Sequence, residues 1–124
     1  MSRAPRSLLL VMGIAFTTIA GCAIDSDAIR IEEFECPQDS DLSYGNFGAA
    51  FVDEHCQECH ASLAENRHGA PRTFTFDTVE QVRNRRSRMF VRAATSNDSM
   101  PPGPDDPPLE ARELFAEWLA CGAP

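Results

Sequence analysis

The residues best equipped for chemistry are Cys56-Gln57-Glu58-Cys59-His60. The C-x-x-C-H spacing reads as covalent attachment of a c-type haem. Each thiol adds across one vinyl group of the porphyrin, and a short turn spans the distance between the two. The next residue then presents an imidazole to the iron, which makes His60 the expected proximal ligand. A second ligand must come from elsewhere. A thioether suits haem iron, and a His/Met pair raises the reduction potential. Met100 sits in Ser99-Met100-Pro101-Pro102-Gly103, an irregular stretch stiffened by prolines that can aim a side chain at a metal. Met89 falls on a helical stripe, where a methionine usually fills gaps in a core. His68 is a competing ligand, but its loop follows His60 and should lie on the same side of the iron. His55, beside Cys56, is expected to face solvent.

These residues need a scaffold, and the periodicity supplies three helices. Phe47/Gly48, Phe51/Val52 and His55/Cys56 recur at steps of three to four, so a first helix starts near Ser43, capped by Ser43 or Asn46. Ala61 to Phe76 contains Gly69 and Pro71 and reads as a loop. Thr78 to Ala94 is a second helix, with Asp77 or Thr78 as its cap and Val79, Val82, Met89, Phe90 and Ala93 on one face. Ser96 to Pro108 is too rich in Pro, Gly and Asp to be regular. A last helix begins near Asp106 with Pro107 in its first turn, and Gly122 ends it. Its apolar stripe is Ala111, Leu114, Phe115, Trp118 and Leu119. No run reads as a strand, so the expected fold class is all-α with long loops.

The chain of 124 residues holds 11 basic and 19 acidic side chains, a net charge of −8, and every basic residue is Arg. A chain this acidic is a poor match for nucleic acid, whose binding requires neutralised phosphates. The N-terminus reads as an address. Arg3 and Arg6 precede a short apolar run from Leu8 to Phe16, too short for the ~20 residues of a spanning helix. Ile19-Ala20-Gly21-Cys22 resembles the lipobox of bacterial lipoproteins. The resemblance implies cleavage after Gly21, acylation of Cys22, and an anchor in a cell-envelope membrane facing the periplasm. Ala23 after the cysteine resembles outer-membrane sorting. Residues 1–21 are then a signal peptide and 22–42 an acidic tether, whose Ile29, Ile31 and Phe34 are placed to dock on the body. The functional domain is 43–124.

From Ser43 to Pro124 the chain resembles class I cytochrome c. The resemblance is carried by Gly48 and an aromatic in the helix before the motif, Cys56-x-x-Cys59-His60, Gly69-Ala70-Pro71, Met100-Pro101-Pro102 and a last helix bearing Trp118. It implies that the first and last helices cross in contact, with Gly48 permitting close approach and Phe51, Leu114, Phe115 and Trp118 filling the contact. Where the family commonly has an aromatic, four residues before the first haem cysteine, this chain has Val52, and Phe51 is one earlier. The family also steers its proximal histidine through a proline carbonyl, and Pro71 is the matching position. Without haem, a cavity is expected, walled by Pro71, Met100 and the middle helix.

With Cys22 assigned to lipid and Cys56 and Cys59 to haem, Cys36 and Cys121 remain of the five cysteines. An even pair in an oxidising compartment is expected to form a disulfide. Arg83, Arg85, Arg86, Arg88 and Arg92 form a basic cluster, either a solvated helix face or a docking patch for an acidic redox partner. Arg67 or Arg72 is available to pair with a haem propionate. The leading expectation is an electron carrier rather than an enzyme, working between protein redox partners and needing no small-molecule substrate. Two alternatives remain. In one, the distal position is open or weakly held, permitting ligand sensing or peroxidase-like activity. In the other, the protein is haem-free and uses its Cys and His on a metal such as zinc.

Overall fold

The structure is a computed structural model that describes residues 28–124. The expected signal peptide, residues 1–21, and the expected lipidation site Cys22 lie outside the described residues. Four α-helices carry the described part: α1 (Ala49–His55), α2 (Gln57–His60), α3 (Val79–Ala93) and α4 (Leu109–Ala120). A 3-10 turn (Ile31–Glu33) and a π-helical turn (Tyr44–Gly48) precede them. No strand occurs among the described residues, so the all-α class holds. No helix there is long and apolar enough to cross a membrane.

The first helical run starts where Ser43 closes a capping box. Its hydroxyl accepts from the Asn46 amide N–H, and the Asn46 side chain accepts from the Ser43 N–H. Two orphan backbone donors are satisfied reciprocally in this way. Thr78 and Gln81 do the same for α3. The last helix starts later than Asp106: Pro108 is its N-cap and Leu109 its first residue. Pro107 is buried ahead of the helix rather than inside it. At the other end, Gly122 at φ +95° closes α4. The Ala123 N–H donates to Trp118 O and the Gly122 N–H to Leu119 O, a Schellman pair that uses up two orphan carbonyls.

The first and last helical runs pack on each other. Phe51 and Phe115 stack with centroids 4.2 Å apart and planes at 15°. A Cβ on Gly48 would overlap the six-membered ring of Trp118. Only glycine lets the π-turn lie this close to the indole. Phe51 is therefore the aromatic of this contact, and Val52, almost fully buried, points into the core beside it. Leu114 departs from expectation. It is exposed, and Ala116 takes the buried place instead. The burial arc of α4 is rotated toward 115/116/118/119, because Trp118 sets which side faces Gly48.

The described part of the 22–42 segment is fastened, not loose. Ile31 is buried, and Phe34 meets Phe90 edge-on at 5.8 Å. Asn97, itself buried, accepts from the Ile29 N–H (3.1 Å) and donates to Ile29 O (2.9 Å) and Phe90 O (3.1 Å). Cys36 and Cys121 form a disulfide, joining this segment to the end of α4. The expected pairing is present.

Candidate functional site

α1 ends at His55, Cys56 turns the chain, and α2 carries Cys59 and His60. Cys56 and Cys59 are both free thiols. Burial pushes the Cys56 thiol from its ordinary 9.0 up to about 12, and repulsion from Cys59 adds to the rise. Cys56 is therefore a protonated, half-buried thiol, in contrast to a reactive thiolate.

His60 is held from several sides. Its Nδ1 lies 2.9 Å from the Phe74 carbonyl oxygen. A carbonyl only accepts, so Nδ1 carries the proton and Nε2 keeps its lone pair for a metal. The ring stacks on Phe76 at 4.7 Å. The Phe76 N–H donates to His60 O, and the Gln57 side chain donates to Phe76 O. The 61–76 loop thus closes back on α2 like a clasp.

The orienting carbonyl corrects the expectation for Pro71. The Pro71 oxygen is occupied otherwise, accepting from the Phe74 N–H and from Arg67 Nη2, both at 2.9 Å. This turn carries the chain on to Phe74, whose oxygen reaches the imidazole. The Pro71 ring still lines the cavity described below. Arg67 is not free for a propionate. Its guanidinium donates to the carbonyls of Ala61, Ala70, Pro71 and Phe74 and knits the loop together.

In front of His60 lies a cavity of about 310 Å³. Phe51, Phe74, Phe76, Met89 and Phe115 give it apolar walls, and Cys56, His60 and Met100 face it together. A second groove of about 460 Å³ adjoins it and shares Cys56, His60 and Met100. Cys59 borders that groove. The structure thus brings the thiols, the imidazole and the thioether of the expected site around one space. Met100 is anchored through its N–H to Arg92 O at 2.8 Å, while the residue is 40% exposed. The cavity also borders Pro71, Met100 and the middle helix, as expected.

Five lining residues escaped the sequence reading: His55, Phe74, Phe76, Arg88 and Arg92. His55 does not face solvent: its side chain is 18% exposed, packs edge-on against Phe51 at 4.8 Å and lines the cavity. Arg88 and Arg92, one helical turn apart on α3, bring positive charge to the same space. Their spacing within the basic cluster was the available signal. The Thr73-Phe74-Thr75-Phe76 alternation was another, since period two in a loop places both phenyl rings on one side.

The remaining arginines have structural work. Arg83 Nε donates to Ala123 O (2.8 Å) and Arg86 Nη1 to Leu119 O (3.2 Å), both at the carbonyl end of α4. Arg85 lies over the Phe74 ring at 4.4 Å. His68 does not line that cavity; it borders the adjoining groove, 3.8 Å from Glu58.

The residues present fit a haem by the chemistry of the donor set. There are two free thiols, an imidazole with its outer nitrogen available, a thioether across the cavity, apolar walls and two guanidiniums for carboxylates. They fit zinc less well, since no group of three or more His, Cys, Asp or Glu side chains converges for a metal ion among the described residues. Comparisons with protein-family models, with curated proteins and with solved structures return no match.

Proposed function

We propose that this chain is a membrane-anchored, monohaem c-type cytochrome that passes single electrons between protein redox partners on the periplasmic side of a bacterial envelope. The observation that carries the reading is the convergence of Cys56, His60 and Met100 on one apolar cavity, with His60 Nδ1 donating to Phe74 O. The all-α arrangement, with Gly48 against Trp118, supports a cytochrome c-like fold.

When bound, haem would supply a one-electron couple at its iron. The chain's own residues do the rest. Cys56 and Cys59 would hold the porphyrin edge as thioethers. His60 would offer Nε2, fixed in angle by Phe74 O and Phe76. Met100, which lines the same cavity as His60, would offer its thioether as the second ligand. Phe51, Phe74, Phe76 and Phe115 exclude water, which tunes the potential. Arg88 and Arg92, rather than Arg67 and Arg72, would hold the propionates. Acylated Cys22 would anchor the domain to lipid.

The test is expression with the haem-attachment machinery in a periplasm, followed by a denaturing gel for covalent haem and by oxidised and reduced spectra. Gel-stable haem with c-type reduced bands and the thioether–iron band is the expected result. Met100→Ala should abolish that band, and Met89→Ala should leave it. The exposure of Met100 favours one second reading, a weakly held distal position open to exogenous ligands. Covalent haem without the thioether–iron band would establish that reading. No covalent haem, with working machinery, would overturn both.

A further inference from the structure

The loop that carries Met100 is held by chain far ahead of it in the sequence. Met100 itself gives the loop little grip, since the residue is 40% exposed. The loop leaves α3 through Thr95, a buried β-branched residue at φ +55° whose hydroxyl has no partner among the described residues. A corner of this kind persists only where its surroundings hold it. Two residues on, Asn97 supplies the hold. Asn97 is buried, takes the Ile29 N–H on Oδ1, and donates from Nδ2 to Ile29 O and Phe90 O. One carboxamide therefore ties the loop both to α3 and to a segment 68 residues earlier. The loop's other side-chain ties are long. Ser99 Oγ lies 3.4 Å from Arg92 O and from Arg92 Nη1, and Arg112 Nη1 lies 3.5 Å from Asn97 O. The early segment is itself seated. Ile31 is buried, Phe34 packs on Phe90, whose carbonyl Asn97 grips, and the Cys36–Cys121 disulfide closes its far end.

We infer that residues 28–36 clamp the Met100 loop, and that Asn97 is the positioning residue through which they aim the thioether at the cavity. The clamp stands on these contacts alone, while its effect on ligation rests on the haem reading above. With the segment seated, Asn97 fixes the loop three residues ahead of Met100, and the Met100 N–H closes on Arg92 O at 2.8 Å. With the segment lifted, Asn97 loses both bonds to Ile29, and nothing else short holds the Thr95 corner to it. The loop then opens locally, at less cost than global unfolding. An outside ligand competes better with a thioether on such a loop. The segment between the expected lipid and residue 43 is thus part of the ligand scaffold as well as a tether.

The test uses the holo-protein with imidazole as the probe. Imidazole displaces the thioether, one iron–sulfur bond breaking as one iron–nitrogen bond forms, and the loss of the thioether–iron band reads its affinity. Asn97→Ala should tighten imidazole binding about tenfold, the worth of one to two net hydrogen bonds. Ile31→Ala with Phe34→Ala leaves Asn97 in place and lifts only the segment, so it tests the clamp even where Asn97→Ala does not fold. It should tighten imidazole by a similar factor. Tyr44→Ala is the control. It strips a ring from Trp118 and should leave imidazole affinity within about twofold. Amide exchange gives a second readout. The Met100 N–H should exchange about tenfold faster in the two clamp variants, measured against the Cys56 N–H, which donates to Val52 O. Imidazole affinities that simply follow the urea midpoints of all three variants would overturn the positioning role and leave the carrier reading standing. Unchanged Met100 exchange on lifting the segment would overturn the clamp. A chain that takes no covalent haem would overturn the carrier reading, and Met100 exchange would then decide the clamp by itself, faster exchange supporting it and unchanged exchange refuting it.

Discussion

Gly48→Ala is the sharpest test of how the helices frame the site. Gly48 is buried at the end of the π-turn, and a Cβ there would stand 2.6 Å from Trp118 Cε2. Ordinary carbon contacts lie near ~3.5–4.0 Å, so something must give by about 1 Å. The indole has nowhere to go. Trp118 is fully buried, stacks on Tyr44 at 6.3 Å and lies against Phe115 at 5.9 Å. Two effects oppose each other. Alanine gains about 1 kcal/mol over glycine in a helix interior. Overpacking a filled core costs about 1–3 kcal/mol, and a shortfall this large against a rigid ring belongs at the upper end. The net expectation is a loss of about 2 kcal/mol. With a urea slope of about 2 kcal/mol/M, the midpoint of holo-protein unfolding falls by about 1 M. Gly45→Ala, three residues earlier, is the internal control, since its Cβ would meet nothing within 4 Å. It should be neutral or slightly stabilising. The reasoning fails if the Gly48 and Gly45 variants unfold at the same urea concentration. It also requires that Gly48→Ala cost less in a Trp118→Phe background, the signature of direct coupling.

Three further expectations follow from the same geometry. Replacing Cys36 and Cys121 by Ser opens a link across a sequence separation of 85. The chain-entropy relation gives a loss of about 4.5 kcal/mol, readable by urea unfolding, and a loss under about 1 kcal/mol would mean that Asn97 and Ile31 fasten the segment unaided. Arg67→Met removes the donor shared by four loop carbonyls and should cost about 2–3 kcal/mol, while loosening His60 enough to shift the haem reduction potential. An unchanged potential would show that Phe76 and the Phe74 carbonyl hold the ring alone. In haem-free protein at pH 8, iodoacetamide should label Cys59 well before Cys56, because the Cys56 thiol is raised to about 12 and stays protonated. The sign also bears on stability. A thiol whose folded pKa lies above its unfolded value stabilises the fold fully below pH 9, and that contribution fades as pH climbs toward 12. Mass spectrometry showing Cys56 labelled first would refute this placement of the thiol.

The primary sequence alone determined a good deal. The local signals were legible because they depend on nearest neighbours: the C-x-x-C-H spacing, the Ser43 and Thr78 caps, the ending of α4 at Gly122 and the all-helical class all depend on residues a few positions apart. The Cys36–Cys121 pairing was legible by counting, once two thiols were set aside for haem and one for lipid. Gly48 was legible only through the resemblance to a family. Tertiary structure alone decided which carbonyl meets His60. Pro71 and Phe74 lie in the same loop, and the choice turns on how Arg67 folds that loop and on which oxygen is left after the turn closes. It also decided where each arginine points. A helical stripe shows that Arg83 and Arg92 differ in angle, but not that α4's carbonyl end waits beside Arg83 while the cavity waits beside Arg92. His55 turned inward for a similar reason: the Phe51 ring offers it an apolar edge that one sequence position cannot reveal. Spacing encodes what a segment can do by itself, and the partner of each polar atom is chosen by segments far away in the chain.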